Sequence, residues 1–285
     1  MYIGDVLVIG GAGFVGSHLC ERLLGITKGR VVSLDNYSTG LAENHFDGVE
    51  YLKGSSMDID SLIDFNPTYI FHLGEYSRVE KSFDDLESVF SSNVVGTAKV
   101  FEFAKKKSAK IIYAGSSTKF GDNGENADAS PYAWSKSSNS RLIKNMGDWY
   151  DINYAITYFY NVYGPREISH GDYATLIGIY DSKMQRGEAL TVVAPGSQLR
   201  NFTHIDDICD ALVLIGEHGE GDGFGIGSDE AFSVLEVAEM FGGEVVMLPE
   251  RRGNRMSADV ISRKTRELGW SAKKNLKRYI NSLKK

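Results

Sequence analysis

This chain of 285 residues predicts an α/β fold built on a doubly wound parallel sheet. Three observations carry that prediction. The apolar run Val6-Leu7-Val8-Ile9 enters a glycine-rich turn that leads into helix-like sequence. A second apolar run, Val31 to Leu34, ends in Asp35, about 20 residues after the last glycine of that turn. Strand-like and helix-like segments then alternate along the chain.

The first turn reads Gly10-Gly11-Ala12-Gly13-Phe14-Val15-Gly16, with glycines at 10, 13 and 16. Glycine permits the tight turn and lets backbone amides approach a pyrophosphate, and the N-terminus of the following helix adds partial positive charge. Strand, glycine turn and helix together are the context a dinucleotide fingerprint needs. Asp35, with Asn36 beside it, is placed to accept hydrogen bonds from the adenosine ribose and to repel a 2′-phosphate. NAD is therefore expected over NADP.

Further strands are expected at 49–52, 69–73, 110–114 and 154–159, with a late one at 224–228. Helices are expected near 85–107, 131–149, 172–187 and 205–217. The strand at 110–114 runs into Gly115-Ser116-Ser117-Thr118, and Ser130-Pro131-Tyr132-Ala133-Trp134-Ser135-Lys136 follows. Ser130 suits an N-cap and Pro131 the first helical position. Tyr132 and Lys136 then stand one turn apart on one helix face. An ammonium beside a phenol favours the phenolate, which makes Tyr132 usable as a general base. Ser116 is placed to hydrogen-bond both the tyrosine and a substrate oxygen.

These motifs resemble the extended short-chain dehydrogenase/reductase family acting on nucleotide sugars, above all its UDP-galactose 4-epimerase-like branch. Phe71-His72-Leu73-Gly74, Asn93-Val94-Val95-Gly96-Thr97 and Tyr160-Asn161-Val162-Tyr163-Gly164-Pro165-Arg166 match family segments in the family's order. So do Arg200-Asn201-Phe202-Thr203-His204-Ile205-Asp206-Asp207, Arg251-Arg252-Gly253-Asn254 and Glu267-Leu268-Gly269-Trp270. The resemblance covers nearly the whole chain. It implies a Rossmann domain over 1–164, with its sheet completed from 200–230, and an interleaved substrate domain over 165–285.

It also implies a reaction: inversion at C4 of a nucleotide-diphosphate sugar through a transient 4-keto sugar, with NAD as cofactor. The catalytic residues would be Ser116, Tyr132 and Lys136. The cofactor would lie against Gly10, Gly13, Phe14, Val15, Gly16, Asp35, Asn36, Ser55, Ser56, Leu73, Gly74, Tyr132 and Lys136. The substrate would meet Glu75, Ser117, Thr118, Asn161, Arg200 and Arg251, the two arginines gripping the diphosphate. A homodimer is also implied, packed through helices that carry Trp134, Leu142, Met146 and Trp149, although these side chains equally suit a monomer's core.

The chain departs from the family pattern at several points. Ser55 stands where an adenine-contacting carboxylate is usual. Gly74-Glu75 replaces two alanines, and Glu75 is expected either at the substrate or on a loop partner. Lys119 and Phe120 replace Val-Tyr. Ser117 and Thr118 occupy the positions of the Asp-Glu pair of the 4,6-dehydratases, which argues against loss of water. A net 4-dehydrogenase or a dehydratase remains the enzyme alternative, with Glu75 as the one carboxylate able to rescue dehydration. A non-catalytic NAD-binding sensor or scaffold is the alternative from another class.

Composition sets outer bounds. A net charge of −7 gives no reason to expect a nucleic-acid partner, and no apolar run approaches membrane-spanning length. Lys105-Lys106-Lys107 reads as a solvated helix end. The two cysteines, Cys20 and Cys209, lie far apart in apolar helical patterns and suit buried free thiols in a reducing cytoplasm. The first strand begins almost at Met1, so no signal peptide is expected. The histidines show no metal-ligand spacing, and no metal is expected.

Overall fold

The computed structural model describes residues 2–120, 127–250, 256 and 260–284. Seven strands form the central sheet: β1 (Val6–Ile9), β2 (Val31–Asp35), β3 (Val49–Lys53), β4 (Tyr69–His72), β5 (Lys110–Ser116), β6 (Tyr154–Phe159) and β7 (Gly221–Ile226). Their spatial order is β3-β2-β1-β4-β5-β6-β7, and every pairing is parallel. All residues of β1 and β5 are buried, as continuous apolar runs in a sheet covered on both faces require.

Six of the helices position the layers and the site: α1 (Phe14–Leu24), α2 (Thr97–Lys107), α3 (Pro131–Tyr150), α4 (Leu176–Gln185), α5 (Ile205–His218) and α6 (Val234–Phe241). Alternate residues of β1 feed opposite cores, as the two-residue strand period dictates. Val6 and Val8 pack with Leu19 and Leu23 of α1 and with Ile208, Leu212 and Ile215 of α5. Leu7 and Ile9 pack with Val100 and Phe101 of α2 and Ile143 of α3. A third cluster lies in the C-terminal part of the chain, joining Ile177 and Tyr180 of α4, Leu190, Val192, Phe241 and Ile280. The parallel pair Leu190–Val193 with Val245–Leu248, and the helix Leu276–Leu283, lie outside the strands and helices expected from the sequence.

Ser130 Oγ caps α3 by accepting from the Ala133 amide at 3.0 Å, and Pro131 occupies the first turn. Lys105, Lys106 and Lys107 lie in the last turn of α2, where cations complement the helix dipole. The continuous helix expected over 85–107 is instead composite. An α-helical turn at Leu86–Val89 passes into a π-helical stretch at Phe90–Gly96 before α2 begins. Such widened turns frequently mark functional sites.

Of the side chains considered for a dimer face, Met146 packs against the second core, while Trp134 stacks on Phe90 with ring centroids 5.2 Å apart. Trp149 is 63% exposed. Cys20 and Cys209 are buried free thiols in the first core. Among the described residues no helix is long and apolar enough to cross a membrane, and no His, Cys, Asp and Glu cluster could hold a metal.

Candidate active site

The strand order reverses around β1, and in open parallel sheets ligands bind at the carboxyl ends of the strands beside such a switch point. A cleft of about 930 Å³ opens there. Its floor is the glycine turn. Gly10 has φ +85°, and a Cβ at Gly10 would sit 2.7 Å from the Gly74 Cα. A Cβ on Gly16 would lie 2.0 Å from the Gly10 carbonyl oxygen. Both positions exclude any side chain, so turn, helix and the end of β4 close on one another. Gly13 begins α1 without a side-chain cap, and no acidic residue lies in the first turn. An uncapped helix N-terminus on the cleft floor fits an anionic pyrophosphate.

Asp35 ends β2, and its side chain holds this turn in place. Its carboxylate accepts from the Ala12 amide at 2.9 Å and from the Tyr37 amide at 2.8 Å. Each carboxylate oxygen keeps a further acceptor site for a ribose hydroxyl. Phe14, Val15, Asn36, Ser55, Ser56, Leu73 and Gly74 also line the cleft. Asn36 Oδ1 accepts from the Ser38 amide at 3.0 Å, and Ser55 Oγ from the Met57 amide at 3.2 Å.

Ser116, Tyr132 and Lys136 line the same cleft from β5 and α3. Two features of this group differ from expectation. Ser116 Oγ does not engage Tyr132; it accepts from the Thr118 hydroxyl at 2.9 Å and from the Thr118 amide at 3.3 Å. Lys136 donates to the Ala114 carbonyl at 2.7 Å and is ion-paired with Glu75.

Glu75, expected either at the substrate or on a loop partner, lines the cleft and forms a buried clamp on Lys136. Its side chain is only 1% exposed. Besides Lys136, its carboxylate accepts from Tyr113 Oη at 2.9 Å, from Asn139 Nδ2 at 2.9 Å and from the Thr97 hydroxyl. Four donors on β5, α2 and α3 converge on it, saturating its acceptors. Burial and the Glu75 charge hold the Tyr113 phenol well above its ordinary range. His72 Nε2 lies 3.9 Å from Glu75, but burial pushes this imidazole down to about 4, so it is neutral at pH 7 and meets Thr97 at 2.9 Å.

The π-helical stretch explains how the segment after β4 is held. Asn93 lies in it, fully buried. It accepts from the Tyr76 amide at 2.7 Å, donates to the Tyr76 carbonyl at 3.1 Å and donates to Ser135 Oγ of α3 at 3.0 Å. Asn139 of α3 returns a bond to the Asn93 carbonyl at 2.7 Å. The segment carrying Glu75 is thus tied to the helix that carries Tyr132 and Lys136.

The remaining expected residues divide. Ser117, Thr118, Asn161 and Arg200 line the cleft. Asn161 adopts φ 31° and donates to the Asn201 carbonyl at 3.1 Å, which joins the end of β6 to the strand bearing Arg200. Arg251 lies outside the described residues. Lys119, which replaces the family's valine, meets Tyr158 Oη at 3.1 Å and stands 3.6 Å from Asp222.

Two residues of the cleft wall had no signal in the motif reading, Arg78 and Glu167. Arg78 lies four residues beyond Gly74 and Glu167 directly follows Arg166, and only the fold brings them together. Burial pushes the Glu167 carboxyl up to about 7, against hydrogen bonds from Thr175, Gly164 and Gly178 and the charge of Arg78. The folded chain therefore holds this proton more tightly than the unfolded chain. The stability it contributes is complete below about pH 4.5 and lost as pH rises through about 7. Glu167→Gln does not ionise, so its melting temperature should gain on wild type between pH 5 and pH 8, whatever the offset at pH 5. A constant difference across that range would show that Glu167 does not titrate with a raised value in the folded chain.

Residues 6–227 match the sequence model of the NAD dependent epimerase/dehydratase family. The UDP-glucose 4-epimerase of Mycolicibacterium smegmatis is 32% identical, across 93% of this chain and 92% of its own length. UDP-glucuronic acid decarboxylase 3 of Arabidopsis thaliana is 28% identical, across 82% of this chain and 72% of its own. Among solved structures, the UDP-glucose 4-epimerase of Thermotoga maritima, crystallised with UDP-glucose, has a TM-score of 0.90 at 27% identity. That match covers 97% of this chain and 96% of the other.

Proposed function

Because this chain belongs to the NAD-dependent epimerase/dehydratase family, we propose that it inverts C4 of a nucleotide-diphosphate sugar through a transient 4-keto sugar. The observation that carries this reading is the pairing of a Tyr132–Lys136 helix face with hydroxyls, not carboxylates, at 117 and 118. Elimination of water needs a base for the C5 proton and an acid for the leaving hydroxyl. Ser117 and Thr118 supply neither, and the Glu75 carboxylate is taken up by Lys136, Tyr113, Asn139 and Thr97. That occupancy supports epimerisation over dehydration.

NAD, when bound, supplies the redox chemistry as a reversible hydride acceptor. The glycine turn and the N-terminus of α1 would hold its pyrophosphate, Asp35 its adenosine ribose, and Ser55 its adenine. Tyr132 takes the proton of the sugar 4-hydroxyl as C4 is oxidised, and returns it to O4 once the ketone has presented its other face. Lys136 has three donors, of which Glu75 and the Ala114 carbonyl occupy two. The third remains for the cofactor. Ser116, held by Thr118, turns its hydroxyl to the sugar oxygen when substrate enters. The diphosphate must be gripped while the sugar turns, a task suited to the planar fork of Arg200 with Asn161 beside it.

The test is incubation of the NAD-loaded enzyme with a panel of nucleotide sugars, read by mass spectrometry and NMR. The expected product has unchanged mass and inverted C4. A product lighter by one water would overturn the reading in favour of a dehydratase. A product lighter by two hydrogens, with stoichiometric reduced cofactor, would overturn it in favour of a 4-dehydrogenase.

A further inference from the structure

Arg78 follows β4 by six residues and lines the cleft together with Ser116, Tyr132, Glu167 and Tyr173. Its guanidinium carbon stands 5.8 Å from the Tyr173 ring centroid, and that ring packs edge-on to Tyr76 at 5.9 Å. Its Nε is buried and has no hydrogen-bond partner. Among the described residues no carboxylate oxygen comes within 4.0 Å of the guanidinium, the distance that defines an ion pair. The carboxylate whose charge reaches it, Glu167, is itself raised to about 7 by burial and is bonded to Thr175 and the Gly164 amide. The segment bearing Arg78 is pinned through Asn93 and Tyr76.

A guanidinium cannot shed its charge, and a desolvated cation without a counter-ion is unfavourable until an anion arrives. Burial already pushes Arg78 below the usual arginine range, opposed first by Tyr132 and then by Tyr173. The anion it awaits must therefore be carried by the molecule that binds beside Tyr132. At that place the reacting carbon is C4 of the sugar, and the diphosphate lies beyond the far side of the ring. The nearest carbon of a hexose able to carry a carboxylate is C6, attached to C5, next to C4.

We propose that Arg78 makes this site selective for a nucleotide-linked hexuronic acid, its guanidinium pairing with the C6 carboxylate of the sugar seated at Tyr132. The inference rests on the C4-epimerase reading for the placement of the sugar. A planar guanidinium offers two parallel N–H donors to a carboxylate, while a neutral C6 hydroxymethyl group leaves the charge unmatched. Selectivity then comes from both sides: the acid gains a charge-assisted pair, and the neutral sugar leaves a desolvated cation unpaired.

The probes are UDP-glucuronate and UDP-glucose, with C4 inversion followed by NMR and binding measured by calorimetry on the NAD-loaded Tyr132→Phe protein. Wild type should favour the uronate in kcat/KM by about 100-fold, the size expected for a buried charge pair. Arg78→Gln should collapse that ratio by about the same factor, and Arg78→Lys should fall between. Preference for UDP-glucose, or a ratio unchanged in Arg78→Gln, would overturn the inference while leaving the epimerase reading intact. Equal loss of both sugars in Arg78→Gln would also overturn it, because the guanidinium would then serve Tyr132. Tighter, Arg78-dependent binding of UDP-glucuronate without C4 inversion would uphold the inference and overturn the epimerase reading.

Discussion

Tyr132→Phe is expected to lower kcat by about 10²- to 10⁴-fold, the range for removing a positioned general acid–base group. The substitution deletes one hydroxyl and leaves the ring. The Tyr132 backbone amide keeps its 3.3 Å bond to Ser82 Oγ, so the first turn of α3 should be unchanged. NAD binding should also survive, because the glycine turn, Asp35 and Lys136 are untouched. The check is single-turnover kinetics beside a direct titration of cofactor. Turnover within a few-fold of wild type would place the proton transfer elsewhere in the cleft. Loss of both turnover and NAD binding would mean that the phenol holds the cofactor and is not a proton carrier alone.

Glu75→Ala should cost about 3–5 kcal/mol of folding stability, the range for removing one partner of a buried ion pair. The side chains of the pair are 8% and 1% exposed, so solvent cannot replace the lost carboxylate without opening the site. The variant leaves the Lys136 ammonium, the Tyr113 phenol, the Thr97 hydroxyl and the Asn139 amide without their shared acceptor. Glu75→Gln should lose less, because one amide oxygen still accepts, though its NH₂ then faces a donor. Urea denaturation of the three proteins measures the ordering. A loss under about 1 kcal/mol in Glu75→Ala would show that water enters and satisfies the cluster, as at an exposed pair.

Gly10, Gly16, Asp35, Ser116, Tyr132 and Lys136 all line one cleft. What the motifs do not encode is which hydroxyls and charges meet within it. Ser116 is bonded to Thr118, two residues away, where a bond to Tyr132 was expected. Glu75 stood out as a departure, yet its partners come from positions 22 to 64 residues distant. Lys119 stands where the family has valine, and its partner Asp222 comes from more than a hundred residues along the chain. The sequence expectation of one helix over 85–107 does not contain the π-helical stretch at Phe90–Gly96.

The sequence by itself determined the layered α/β fold, the glycine turn and the capped helix at Ser130. Each of these is written in a short window, by a period of two or 3.6 residues or by a turn or cap. Tertiary structure alone decided that Glu75 clamps Lys136, that Asn93 pins the segment after β4, and that Arg78 faces the cleft with no carboxylate paired to it among the described residues. Those outcomes depend on strand order: β4 lies between β1 and β5, which brings the segment after it under α3 and beside Tyr132. A local pattern carries no information about which distant donor a buried carboxylate will find, because that pairing is set by packing and desolvation across the whole sheet.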